Sequence, residues 1–182
     1  GVLLVPSCGN AKTIKFLESN DIDVVVLDRR ISGVGTDIVC SDSENGANRL
    51  IKLLIGVGHK RIAIITVSKD LSTSVDRVTG YQRALLEAGL SENELIYYGA
   101  FNEQSGYELA NQAMRQTPKP TAIFGGNNFI AVGIIKALHD LKFEVPGDIS
   151  VVGFDDLPDS MFMKPFLTVA RQRAYEMGRL AT

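Results

Sequence analysis

Ile149–Gln172 reads ISVVGFDDLPDSMFMKPFLTVARQ, and this stretch decides the fold class. Its first six residues, Ile149–Phe154, are apolar, β-branched or small, the pattern of a strand buried on both faces. Asp155 and Asp156 follow at once. In a parallel sheet that point is the carboxyl edge, where α/β proteins take small ligands. A Met161-Phe162-Met163 cluster and Lys164-Pro165 come next, then a second extended run that ends in Gln172.

Strand and helix patterns alternate along the rest of the chain, which predicts an α/β protein with parallel sheets. Val2–Val5 reads as a strand, and Asn10 is placed to cap a helix over Ala11–Ser19. Val24–Leu27 is a buried strand closed by Asp28, and Ile38–Cys40 a shorter one. Glu44–Ile55 is an amphipathic helix stopped by Gly56 and Gly58. A second series has strands at Ile62–Val67, Leu95–Tyr98, Thr121–Phe124 and Ile149–Phe154. Helices at Ser74–Ala88, Gln104–Gln116 and Asn127–Leu141 connect them, and Ala174 opens a terminal helix after the extended Thr168–Arg171.

The chain has 182 residues, 45% hydrophobic and 22% charged, enough for one or two packed units. Its net charge of −2 argues against direct nucleic-acid binding, which needs a basic patch to neutralise phosphates. The one basic cluster, His59-Lys60-Arg61, reads as a solvated strand entry. Two cysteines, Cys8 and Cys40, and two isolated histidines give neither a disulfide framework nor a metal site, and no cofactor is called for. No run approaches the length of a membrane span. The chain begins directly on a strand and ends within a helix, as a segment of a longer protein would.

Beyond the strand ends stand Asp28, Ser68 with nearby Arg77, Phe101, Asn127 and Asp155. Parallel sheets would bring these groups to their carboxyl edges. Carboxylate, amide and guanidinium groups can each bridge neighbouring hydroxyls, and an aromatic ring can cover an apolar ligand face, so the set suits a polyhydroxyl ligand. Taken singly each residue has a plainer role. Asp and Asn after strands serve as turn and cap residues. Arg77, read here on the first turn of its helix, could form a surface ion pair. Phe101 could be core, and the Met161–Met163 cluster either core or contact surface.

Several motifs run in order along the chain. They are Gly58-His59-Lys60-Arg61-Ile62-Ala63, the S-x-R-x-x-G segment within Ser72–Gly80, and Ser105-Gly106-Tyr107. Then come Pro120-Thr121-Ala122-Ile123-Phe124, Val145-Pro146-Gly147-Asp148-Ile149-Ser150, the GFDD turn, and Thr168-Val169-Ala170-Arg171-Gln172. As a set they resemble the LacI/GalR family of bacterial transcription regulators over essentially the whole chain. Two positions depart from its usual pattern: Asn128 stands where the family commonly has Asp, and the return strand carries Val169-Ala170.

The resemblance implies two doubly wound parallel-sheet lobes of the periplasmic binding protein type I kind, the first incomplete in this chain. Residues 1–42 and 173–182 would belong to the first lobe and 43–172 to the second, with crossings near Ser41–Ser43 and Ala170–Arg173. It implies a small effector, a sugar or sugar derivative, held by Asp28, Arg77, Phe101, Asn127, Asp155 and Gln172. It also implies a homodimer whose contact includes Val132, Met161, Phe162 and Met163. Operator DNA would be bound only through an N-terminal helix-turn-helix absent from this sequence, and the protein would be cytoplasmic. A periplasmic sugar-binding protein for transport or chemotaxis is the alternative, which a secretory leader upstream would favour. An enzyme ranks third: the carboxylates come with no Ser-His-Asp order, phosphate loop or dinucleotide fingerprint.

Overall fold

Ile62–Val67 (β4) is the strand around which the larger half of the molecule is built. Every one of its six residues is buried, because it is paired on both edges and covered on both faces. The computed structural model describes residues 1–7, 9, 11–156 and 167–182. Met161, Phe162 and Met163, three of the residues assigned to the dimer contact, lie outside the described residues, as does Asn10.

In chain order the elements are β1 (Val2–Leu4), α1 (Lys12–Glu18), β2 (Val24–Leu27), β3 (Asp37–Val39) and α2 (Ser43–Gly56). After β4 come α3 (Ser72–Glu87), β5 (Leu95–Gly99), α4 (Glu103–Ala113), β6 (Ala122–Gly125) and α5 (Asn128–Asp140). The chain then runs through β7 (Ser150–Phe154), β8 (Thr168–Ala170) and α6 (Ala174–Leu180). Two sheets result, both wholly parallel: one ordered β1-β2-β3, the other β5-β4-β6-β7-β8.

Strand alternation divides the larger core into two layers. Ile62, Ile64, Phe124, Val152 and Phe154 face α2 and α3, where they meet Ala47, Leu50, Ile51, Leu54, Val78 and Leu85. Ala63, Ile65, Ile123 and Val151 face α4 and α5, where they meet Ala110, Met114, Ile130, Ile134 and Leu138. Two glycines permit the helix pairs to approach this closely. A Cβ on Gly80 would lie 2.1 Å from the Glu44 carbonyl oxygen, and one on Gly133 would lie 2.0 Å from that of Glu103.

The ends of the larger sheet differ in character. At the amino edge, the buried Tyr81 hydroxyl donates to the Ile62 carbonyl at 2.8 Å and accepts from the Leu95 amide at 2.9 Å. Nearby, the His59 ring contacts Thr121 Oγ1 at 2.9 Å and Ser150 Oγ at 3.0 Å, tying the entries of β6 and β7 together. At the carboxyl edge the strands lead into helices capped by side chains: Asn102 Oδ1 accepts from the Ser105 amide and Asn127 Oδ1 from the Ile130 amide. Asp42 likewise caps α2 through the Asn45 amide. Ala11 occupies the cap position of α1, with no side-chain cap.

Candidate functional site

The carboxyl edges of the two sheets meet. Asp28 follows β2 and Asp155 follows β7, and both adopt left-handed backbone conformations, with φ of 71° and 72°. Each turn is pinned by its amide, Asp28 to the Val39 carbonyl and Asp155 to the Ala170 carbonyl, both at 2.9 Å. A left-handed non-glycine residue is uncommon, and Asp and Asn tolerate it best. The turns therefore aim two carboxylates off the ends of buried strands.

Arg77 lies opposite. It sits on the second turn of α3, not the first, because α3 begins at Ser72, two residues before the start the sequence suggested. Its guanidinium is buried, stacks over the Phe154 ring at 3.9 Å, and donates from Nη1 to the Gly126 carbonyl at 2.5 Å. Burial pushes its pKa down from the ordinary arginine value. Asp155 pulls it back most strongly, followed by Asp28 and Asp76, while Arg29 opposes them. One guanidinium thus feels carboxylates from both sheets.

Gln172 joins this group to the crossings. Its Nε2 donates to Asp155 Oδ2 at 2.8 Å, and its Oε1 accepts from Ser41 Oγ at 3.2 Å. Arg29 holds the other side, donating from Nη1 to the Pro6 and Ser7 carbonyls at 2.8 and 2.7 Å, with Nε 3.5 Å from Asp28 Oδ2. Four buried side-chain polar atoms lack a hydrogen-bond partner among the described residues. Three of them, Arg29 Nε, Arg77 Nε and Asn127 Nδ2, belong to these edges; the fourth is Ser43 Oγ. Stable interiors avoid such atoms, so their grouping here marks the region as more than packing.

Of the residues singled out from the sequence, Asp28, Arg77, Asn127, Asp155 and Gln172 stand at these edges. Phe101 stands apart from them in its contacts. It is 52% exposed, and its ring meets Phe129 with centroids 5.5 Å apart. Together with Tyr107, Lys136 and Asp140 they line a shallow depression of about 670 Å³. Val132 is half-buried on α5. A larger groove of about 1040 Å³ runs between β8, α2 and α6, and it contains none of the five edge residues.

Sequence reasoning missed Phe154 as the platform of Arg77, reading it only as buried strand. Strand parity could have found it, since Phe154 shares a face with Val152 and that face carries α3. It named Ser41 only as part of a crossing and missed its hydrogen bond to Gln172, as well as the pairing of Arg30 with Asp76. No local pattern marks contacts between residues so far apart in the chain.

Residues 51–182 match the family described as the periplasmic binding protein-like domain. The chain is 37% identical over 159 residues to the HTH-type transcriptional repressor PurR of Histophilus somni, covering 87% of this chain and 48% of that protein. It is 35% identical over its whole length to the repressor of the same name from Haemophilus influenzae, of which it covers 54%. The chain thus spans about half the length of the curated relatives it matches. Among solved structures, the transcription regulator CcpA of Lactococcus lactis superposes with a TM-score of 0.87 at 28% identity, over all of this chain and 66% of that one. A sugar-binding LacI-family regulator from Escherichia coli, complexed with phosphate, gives 0.83 at 30% identity, over 97% of this chain and 64% of that one.

Proposed function

The chain belongs to the LacI/GalR family and carries its periplasmic-binding-protein-like, effector-binding fold, and from that premise we propose that it is the effector-sensing and dimerising part of a bacterial transcription regulator. A small ligand would bind between the lobes, residues 1–42 with 173–182 forming one and 43–172 the other. Closure on the ligand would change the operator affinity of DNA-binding heads supplied by the rest of the protein. The observation that carries this reading is the meeting of Asp28, from the first sheet, with Arg77 and Asp155, from the second. A ligand touching both sets favours the arrangement in which they face each other, and only such differential affinity can shift a conformational equilibrium.

The ligand that suits these edges is polar and uncharged, a sugar in preference to a sugar phosphate. Among the described residues here, Asp28, Asp76 and Asp155 balance Arg29, Arg30 and Arg77. Arg30 is committed to Asp76 and Arg29 to two carbonyls. With Arg30 and Asp76 paired to each other, a phosphate would meet two carboxylates, Asp28 and Asp155, and one partly committed guanidinium, Arg77, whereas hydroxyls can bridge carboxylate, amide and guanidinium alike. Phe101, exposed after β5 in the same lobe as Arg77 and Asp155, is the proposed cover for one face of the ligand.

A two-fold dimer is part of the proposal, with Val132 on α5 and the Met161–Met163 segment in the contact, since paired DNA-binding heads need a two-fold axis to read half-sites. In sedimentation, Met163→Asp should weaken the dimer; an unaltered dimer would place the contact elsewhere. Among the described residues no helix is long and apolar enough to cross a membrane. The test of the function is a thermal-shift screen of the full-length regulator with sugars, their phosphates and purine bases. A ligand selective for the folded state raises the melting temperature. An uncharged sugar should do so, and a response to purine bases alone would replace the sugar reading.

A further inference from the structure

Arg30 and Asp76 join the two lobes beside the site. Arg30 follows Asp28 by two residues in the turn after β2, and Asp76 immediately precedes Arg77 on α3. The guanidinium engages the carboxylate with both terminal nitrogens: Nη1 donates to Oδ2 at 2.8 Å, and Nη2 pairs with Oδ1. The Arg30 amide adds a third bond, donating to Ser72 Oγ at 2.9 Å across the same gap. The hydrogen bond with Asp76 is also the main cause that raises the Arg30 pKa.

We propose that Arg30, Asp76 and Ser72 form a clasp that biases the ligand-free lobes toward the closed arrangement, which a ligand then completes, and so act as positioning residues that set the spacing between Asp28 and Arg77. A lone ion pair on a protein surface contributes little. This one differs in three respects. It is two-pronged, which fixes orientation as well as distance. It is locked by a backbone amide, which no rotation of the arginine side chain can release. And it joins the two sheets' halves of the molecule, so in this proposal its strength acts on the closure equilibrium.

The clasp also takes Arg30 and Asp76 out of reach as ligand groups. The Asp76 side chain is 15% exposed and that of Arg30 is 53% exposed, so the carboxylate lies at the inner end of the pair and the cation toward solvent. The Ser41–Gln172 bond supplies a second tie near the crossings. The consequence for ligand spacing rests on the proposed function; closure of the empty protein does not.

The experiment measures the distance between lobes with no ligand added. Spin labels at Thr13→Cys on α1 and Leu86→Cys on α3, in full-length protein carrying Cys8→Ser and Cys40→Ser, report it by pulsed electron resonance. Arg30→Gln and Asp76→Asn, each alone, should shift the distribution to longer and broader distances. Asp76→Glu, which keeps the charge, should stay near the parent protein. Circular dichroism confirms that each variant is folded. Distributions for Arg30→Gln and Asp76→Asn indistinguishable from the parent would overturn the clasp. Because no ligand enters the measurement, that failure is separate from a failure of the effector reading, which the thermal-shift screen reports.

Discussion

Gln172 donates from Nε2 to Asp155 Oδ2 at 2.8 Å while its Oε1 accepts from Ser41 Oγ at 3.2 Å, so a single amide connects the carboxylate after β7 to the first crossing. That bond occupies one oxygen of Asp155 and leaves the second for another partner. It also means that any movement of Ser41 relative to Gln172 reaches Asp155 through one side chain.

Gln172→Glu should therefore be more damaging than Gln172→Ala. The new carboxylate would face Asp155 at hydrogen-bond distance, and two like charges cannot both stay ionised there without cost. Losing a hydrogen bond to a charged group costs about 1.5–3 kcal/mol, or roughly ten- to a hundredfold in affinity. Calorimetry with the sugar identified by thermal shift checks the order: parent tightest, Gln172→Ala weaker, Gln172→Glu weakest.

Tyr81 offers the opposite case, a residue whose loss should affect the fold and spare the site. Its hydroxyl serves the Ile62 carbonyl and the Leu95 amide at the amino edge, away from Asp28 and Asp155. Tyr81→Phe strands both backbone groups, at a cost of about 1–3 kcal/mol. The midpoint of chemical denaturation should fall, while ligand affinity measured well below that midpoint stays at the parent value.

His59 makes the amino edge sensitive to pH. Burial lowers its pKa below the ordinary histidine value. The unfolded chain therefore takes up a proton before the folded one does. Stability from this group is present above the unfolded pKa and is lost as pH falls through the folded pKa, in the acid direction from about 6.5. Denaturation across pH 7.5 to 5 should show this loss in the parent protein, and His59→Gln, which keeps a polar side chain but does not titrate, should flatten that part of the profile.

Much of this architecture was legible in the sequence because local pattern and global position agree. The six-residue run Ile62–Val67 could only be a central strand, and it is buried along its whole length. Asn127, Asp28 and Asp155 stand where the pattern put them, because a polar residue ending an apolar strand run marks the carboxyl edge. The helix starts were less legible. Ser72 begins α3 without a side-chain cap, so nothing in the sequence marked the extra turn half that moved Arg77 inward. The cross-lobe bonds were not legible at all. Arg30 and Asp76 are 46 residues apart and Ser41 and Gln172 131 apart, and charge or hydroxyl alone does not name a partner at such a distance. Phe101 shows the remaining gap: an aromatic after β5 could be ligand cover or core, and its exposure and its contact with Phe129 follow from how α4 and α5 pack.

The most direct test of the account compares Asp28→Ala with Asp155→Ala in calorimetric titrations with the sugar that raises the melting temperature. The two carboxylates come from different sheets, and the account requires a ligand that engages both. Each variant should lose about 2–4 kcal/mol of binding free energy, roughly thirty- to a thousandfold in Kd, with the fold intact. Affinity that falls in one variant and matches the parent in the other would contradict binding between the lobes.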